Sequence, residues 1–113
     1  SSYYYPDVLV NCQRETQADG TAQVSDAQLI IEILSPSTET IDRREKLSAY
    51  RKLASLQEYV LISQTEPKVE IYRRQSASAW LYIVYEAGDV IELESVKMQL
   101  TMPNIYQGTD VAA

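Results

Sequence analysis

Apolar residues in this chain gather into short runs separated by polar or turn-forming residues, and one run is Leu29-Ile30-Ile31-Glu32-Ile33-Leu34. Large aliphatics around a single acid predict a strand buried on both faces, in which an ionised carboxylate must be paired, hydrated or metal-bound. Ser35-Pro36-Ser37-Thr38 ends the strand, with Ser37 or Thr38 able to cap a helix after it. The pattern then becomes helical over 41–54. Leu47, Tyr50, Leu53 and Ala54 form an apolar stripe, Arg44, Glu45, Ser48, Arg51 and Lys52 face outward, and the cations Arg43 and Lys46 border the stripe. Glu58-Tyr59-Val60-Leu61-Ile62-Ser63 returns to strand chemistry. Strand, helix and strand in succession predict a right-handed βαβ crossover.

Earlier in the chain, Pro6 opens an extended segment in which Val8, Val10 and Cys12 share one face and Asp7, Leu9 and Asn11 the other. Residues 13–26 are polar around Asp19-Gly20, the chemistry of a turn or exposed loop. Tyr3-Tyr4-Tyr5 reads either as an exposed patch or as a buried edge strand. Later, 69–74, 80–85, 90–93 and 96–102 supply further strands, with turns at 65–68 and 75–79 and a break at Gly88-Asp89. Residues 102–106 predict a short turn or helix.

The whole is 113 residues, one domain's worth of core. The chain begins with Ser rather than Met and reaches its first strand almost at once, which predicts the trailing part of a longer protein. Ten Lys and Arg against sixteen Asp and Glu, a net charge of -6, argue against broad attraction to nucleic-acid phosphates. They do not exclude a nuclease, because carboxylates gathered around a divalent cation add negative charge locally. Histidine is absent, which removes His-based triads and His-ligated zinc. Acid–base or metal chemistry would then run on Asp, Glu, Lys and Tyr. A single cysteine and no apolar run near the ~18 residues of a membrane helix predict a soluble protein of the cytoplasm, with no membrane partner.

Asp7, Glu32 and Lys46 form the candidate constellation. If the first two strands pair, Asp7 and Glu32 can share a face, and the lysine comes from the helix after the second. Two carboxylates and a main-chain carbonyl can hold Mg²⁺, while an ammonium nearby stabilises developing charge or orients an attacking water. The plainer reading makes Asp7 a turn acid and Lys46 a snorkelling side chain, with Glu32 in a structural ion pair to Lys46 or Arg43. Spacing by itself leaves both open.

Pro6-Asp7-Val8-Leu9-Val10, Glu32-Ile33-Leu34-Ser35-Pro36-Ser37-Thr38, Asp42-Arg43-Arg44-Glu45-Lys46-Leu47-Ser48-Ala49-Tyr50 and Glu58-Tyr59-Val60-Leu61, in that order, resemble the Uma-type family of restriction endonuclease-like proteins. The family is placed in the PD-(D/E)XK nuclease superfamily. The resemblance implies an α/β (α+β) fold, a mixed β-sheet flanked by helices, here lacking the family's amino-terminal elements. It implies that Asp7 and Glu32 are the motif acids and that they, with the carbonyl of Ile33, hold Mg or Mn. The motif lysine is absent two residues after Glu32, where Leu34 stands, and the resemblance implies that Lys46 replaces it from the next helix. Many relatives carry Trp and Asp where this chain has Val60 and Ser63. The activity implied is cleavage of nucleic acid, DNA foremost, by Asp7, Glu32 and Lys46. The competing expectations are a catalytically inactive interaction module on the same fold, or a homo-oligomer formed through sheet edges.

Overall fold

A computed structural model describes residues 8–10, 26–35 and 39–113. Asp7, the tyrosine run, the 13–25 loop and the capping residues Ser37 and Thr38 lie outside the described residues. Strand β1 (Val8–Val10) runs antiparallel to β2 (Leu29–Leu34), with Val8 opposite Ile31. Helix α1 (Glu39–Arg51) then crosses over to β3 (Glu58–Ser63), which lies parallel to β2 with Glu32 opposite Leu61. Strands β4 (Lys68–Arg74) and β5 (Trp80–Glu86) extend the sheet in antiparallel sense, giving the order β1-β2-β3-β4-β5. The parallel pair with its helix is the expected βαβ unit, and the sheet is mixed, as expected.

Alternation decides what each face carries. Ile30, Leu34, Tyr59 and Leu61 pack with Tyr50 of α1 in one core. Leu29, Val60, Val69 and Ile71 build the other, against β6 (Val90–Leu93), β7 (Met98–Thr101) and the short α2 (Met102–Ile105). Among the described residues the second flank is therefore a two-stranded sheet and one turn of helix rather than a long helix. Each large apolar side chain sealed in these cores contributes about 1.5–3 kcal/mol.

Three local details differ from the pattern-based reading. Helix α1 stops at Arg51 because Lys52 and Leu53 bond back three residues, to Ala49 and Tyr50, and tighten the chain into a turn. Ala54 is consequently exposed, and Leu56 enters the core in its place. Strand β2 is not covered throughout, since Ile33 is 54% exposed. The late strand expected over 96–102 begins only at Met98, after a 3-10 turn over Glu94–Val96.

Small-scale chemistry fixes the carboxyl-terminal part to the sheet. Thr101 and Asn104 form a reciprocal capping box at the start of α2, where Pro103 costs nothing because the first turn has no partner for an N–H. The Tyr106 hydroxyl lies 2.7 Å from the carbonyl oxygens of both Ser63 and Glu66, and so ties α2 to the turn between β3 and β4. Burial pushes that hydroxyl above its ordinary pKa.

Candidate active site

The face of the sheet beneath α1 carries two buried acids. Glu32 on β2 is 2% exposed and Glu70 on β4 is 4% exposed. Their register is shared: Glu32 stands opposite Leu61, and Leu61 opposite Glu70, so the two carboxylates point to the same side one strand apart. Helix α1 answers both. Lys46 donates to Glu32 Oε2 at 2.7 Å, and the Arg43 guanidinium donates to Glu70 Oε1. Arg43 and Lys46 are three apart on the helix, hence neighbours on its surface.

Glu32 is further fixed by Tyr50, whose hydroxyl donates to Oε1 at 3.0 Å. Both carboxylate oxygens are thus engaged from one helix. Lys46 is one-fifth exposed while Glu32 is sealed, so solvent approaches the pair from the lysine side. At Glu70, the Tyr82 hydroxyl of β5 donates to the same oxygen that receives Arg43. Although burial by itself would lower it, the hydrogen bond and charge of Glu70 hold the Arg43 pKa above its ordinary value. Burial, followed by the bond to Glu70, raises the Tyr82 hydroxyl.

Aromatic rings join the two acids. Tyr50 meets Tyr59 edge-on at 5.2 Å, Tyr59 stacks on Tyr72 at 6.3 Å, and Tyr72 lies 4.9 Å from Tyr82. The Tyr59 hydroxyl is buried and has no hydrogen-bond partner among the described residues. Burial, reinforced by the charge of Glu32, pushes it well above its ordinary pKa.

Of the residues expected to act together, the structure brings Glu32 and Lys46 into contact, and Asp7 is outside the described residues. No cluster of three or more His, Cys, Asp or Glu suited to a metal occurs among the described residues. Pattern reasoning missed Glu70 and Tyr82. In Val69-Glu70-Ile71 the acid occupies the polar position of a plain alternation, and only the register across β3 reveals that this position lies under α1.

The opposite face holds a third buried acid with a structural task. Glu58, 1% exposed, accepts from Arg73 Nε at 2.8 Å and from the backbone N–H groups of Ser95 and Glu94. Arg73 also donates to the carbonyl of Glu92. This network fastens the small β6-β7 sheet to the large one.

A mixed five-stranded sheet with a parallel β2-α1-β3 unit is the arrangement of a restriction-endonuclease-like fold. The chain belongs to the Uma2 family, described as "Putative restriction endonuclease", which matches residues 1–103. Two proteins of Synechocystis sp. described as uncharacterized, slr1290 and sll1609, are each 35% identical, over 95% and 88% of this chain. The chain spans 56% of the length of each. The crystal structure of a putative nuclease belonging to DUF820 from Anabaena variabilis is similar with a TM-score of 0.55 and 22% identity, over 70% of this chain and 43% of that one. No helix among the described residues is long and apolar enough to cross a membrane.

Proposed function

We propose that this chain carries the centre of a divalent-metal-dependent endonuclease acting on DNA, with Glu32 and Asp7 as the acidic pair and Lys46 as the motif lysine. The observation that carries the reading is the 2.7 Å contact between Lys46 Nζ and Glu32 Oε2. It supports the view that an amine from α1 serves the place beside Glu32 that Leu34 cannot fill. Family membership supports the same class of activity.

The donor chemistry suits Mg²⁺ or Mn²⁺, which prefer hard oxygen ligands. Glu32, the main-chain carbonyl of Ile33 and Asp7 would hold the ion. Val8 pairs with Ile31 in antiparallel register, so β1 runs directly beside the strand that carries Glu32. When bound, the ion would supply Lewis-acid stabilisation of the phosphate and lower the pKa of an attacking water. Lys46 would then orient that water or neutralise charge on the phosphate oxygens. Tyr50 would keep the Glu32 carboxylate in one orientation while Lys46 shifts toward substrate.

A second reading is favoured by one specific observation: both Glu32 oxygens are already engaged, by Lys46 and Tyr50, as in a purely structural ion pair. On that reading the chain is a nuclease-fold interaction module. Calorimetric titration with Mg²⁺ and Mn²⁺ separates the two. Binding that disappears in Glu32→Ala and Asp7→Ala supports the nuclease; no binding by the wild-type chain supports the module.

A further inference from the structure

We infer that the cavity between the end of α1 and the β4–β5 turn is a subsite for one unstacked nucleotide of a single-stranded nucleic acid. This inference rests on the nuclease reading for its biological sense, and on its own residues for its chemistry. The cavity is about 470 Å³ and is lined by Arg51 and Lys52 at the helix end, Leu47 and Ser48 one turn earlier, and Ser78 and Trp80 across from them. Arg51 and Lys52 are exposed, and no acid is among its described lining residues. The other two cavities described differ in charge: one combines Glu92 and Glu94 with Lys97, and the other Glu66 and Glu86 with Lys68. On a chain of net charge -6, this local surplus of cations beside an aromatic ring stands out.

Trp80 lines the cavity while it also packs against the core beneath α1. The Arg74 guanidinium lies 4.3 Å from its ring centroid, and Arg74 is itself anchored by the carbonyls of Leu53 at 2.8 Å and Leu56 at 2.7 Å. A ring fixed this way loses little freedom on binding. Cations that track a phosphate next to an aromatic that stacks a base are the two components of single-strand recognition. A base paired within a duplex cannot reach such a ring, so the occupant is unstacked. Arg51 lies five residues beyond Lys46, ~7.5 Å along the helix axis and about 140° around it, so the two cations do not share a face of α1. The subsite would hold a nucleotide beside the scissile phosphate rather than the phosphate itself.

Trp80 is the sole tryptophan of the chain, so its fluorescence reports this place alone. The full chain, in chelator and without added metal, is titrated with a short oligothymidylate and, separately, with a duplex of equal length. The expected result is saturable quenching by the single strand, at least 10-fold tighter than the duplex. Arg51→Ala with Lys52→Ala should weaken binding at least 10-fold and flatten its salt dependence. Trp80→Phe, monitored with a labelled oligonucleotide, should keep the fold by circular dichroism and bind more weakly. Unchanged affinity in the folded double variant, or equal affinity for duplex, would overturn the subsite. Cleavage by the same samples keeps the two readings apart. If Glu32→Ala abolishes cleavage while the Arg51 and Lys52 variant binds as wild type, the subsite fails and the nuclease stands. If the wild type never cleaves but the binding loss appears, the subsite stands without the nuclease.

Discussion

Arg43 and Lys46, three residues apart on α1, serve acids on two different strands: Arg43 bonds Glu70 on β4 and Lys46 bonds Glu32 on β2. Between those strands lies β3, which contributes Leu61 to the same row. One helix therefore fixes the charge balance across three strands, and its position over the sheet is set by electrostatics as well as by the packing of Tyr50.

Removing Lys46 strips the buried Glu32 carboxylate of its cation, while the Tyr50 hydroxyl still donates to the other oxygen. Lys46→Ala should lower the unfolding free energy by about 2 kcal/mol, because the lost bond is charge-assisted and the acid is sealed. Glu32→Gln with Lys46 intact should cost less, since no unpaired buried charge is left: the amide oxygen can accept from Lys46 while its NH2 donates to the Tyr50 hydroxyl oxygen. Urea denaturation of the three proteins checks the order.

At the second acid, Tyr82→Phe removes one hydroxyl donor from Glu70 and leaves Arg43 in place. A loss of about 1 kcal/mol is expected. Arg43→Ala should cost more, because it removes the charged partner. A double-mutant cycle between Arg43 and Glu70 should give a coupling above about 1 kcal/mol, and independence of the two substitutions would show that the pair is idle.

On the opposite face, Glu58→Ala removes the acceptor of two backbone N–H groups and one partner of Arg73, which keeps the Glu92 carbonyl and Glu94, in a nearly sealed position. The expected cost is about 3 kcal/mol. Amide exchange should speed up first in β6 and β7, the elements this carboxylate fastens, and uniform exchange across the sheet would contradict that role.

Alkaline pH should unfold the chain through Tyr59. Burial first, and the charge of Glu32 second, raise its folded-state pKa above the ordinary value near 10. A group with a raised folded pKa contributes stability that is complete below its unfolded pKa and is lost as pH climbs toward the folded one. Stability should thus hold to about pH 10 and fall above it, and Tyr59→Phe should reduce that fall. Thermal melts on both sides of that pH measure both.

Sequence reasoning reached the parts of this molecule whose signal is local. An acid inside an aliphatic run marks itself, so Glu32 was legible, and the lysine flanking the Tyr50 stripe followed from helical spacing. The strands expected over 58–63, 69–74 and 80–85 were legible from β-branched and aromatic content between turn residues, and the structure extends the last two by one residue each, to Lys68 and Glu86. Register is not local. Glu70 sits in ordinary alternation, and nothing in its neighbours tells that β3 carries it beneath α1. Glu58 opens a strand, where an acid is usually solvated, yet the β6-β7 sheet folds over it. The end of α1 escaped for a related reason, since Ala54 and Leu56 both fit an apolar pattern and only the closing turn decides which of them is buried.

Whether Glu32 and Lys46 form a nuclease centre is decided by cleavage of plasmid and single-stranded DNA with Mg²⁺. Wild type, Glu32→Ala and Lys46→Ala are purified identically and shown to be folded. Cleavage by the wild type is expected, with a loss of roughly 100-fold or more in each variant. Equal cleavage by all three, or none by any, would contradict a nuclease centre built on these two residues.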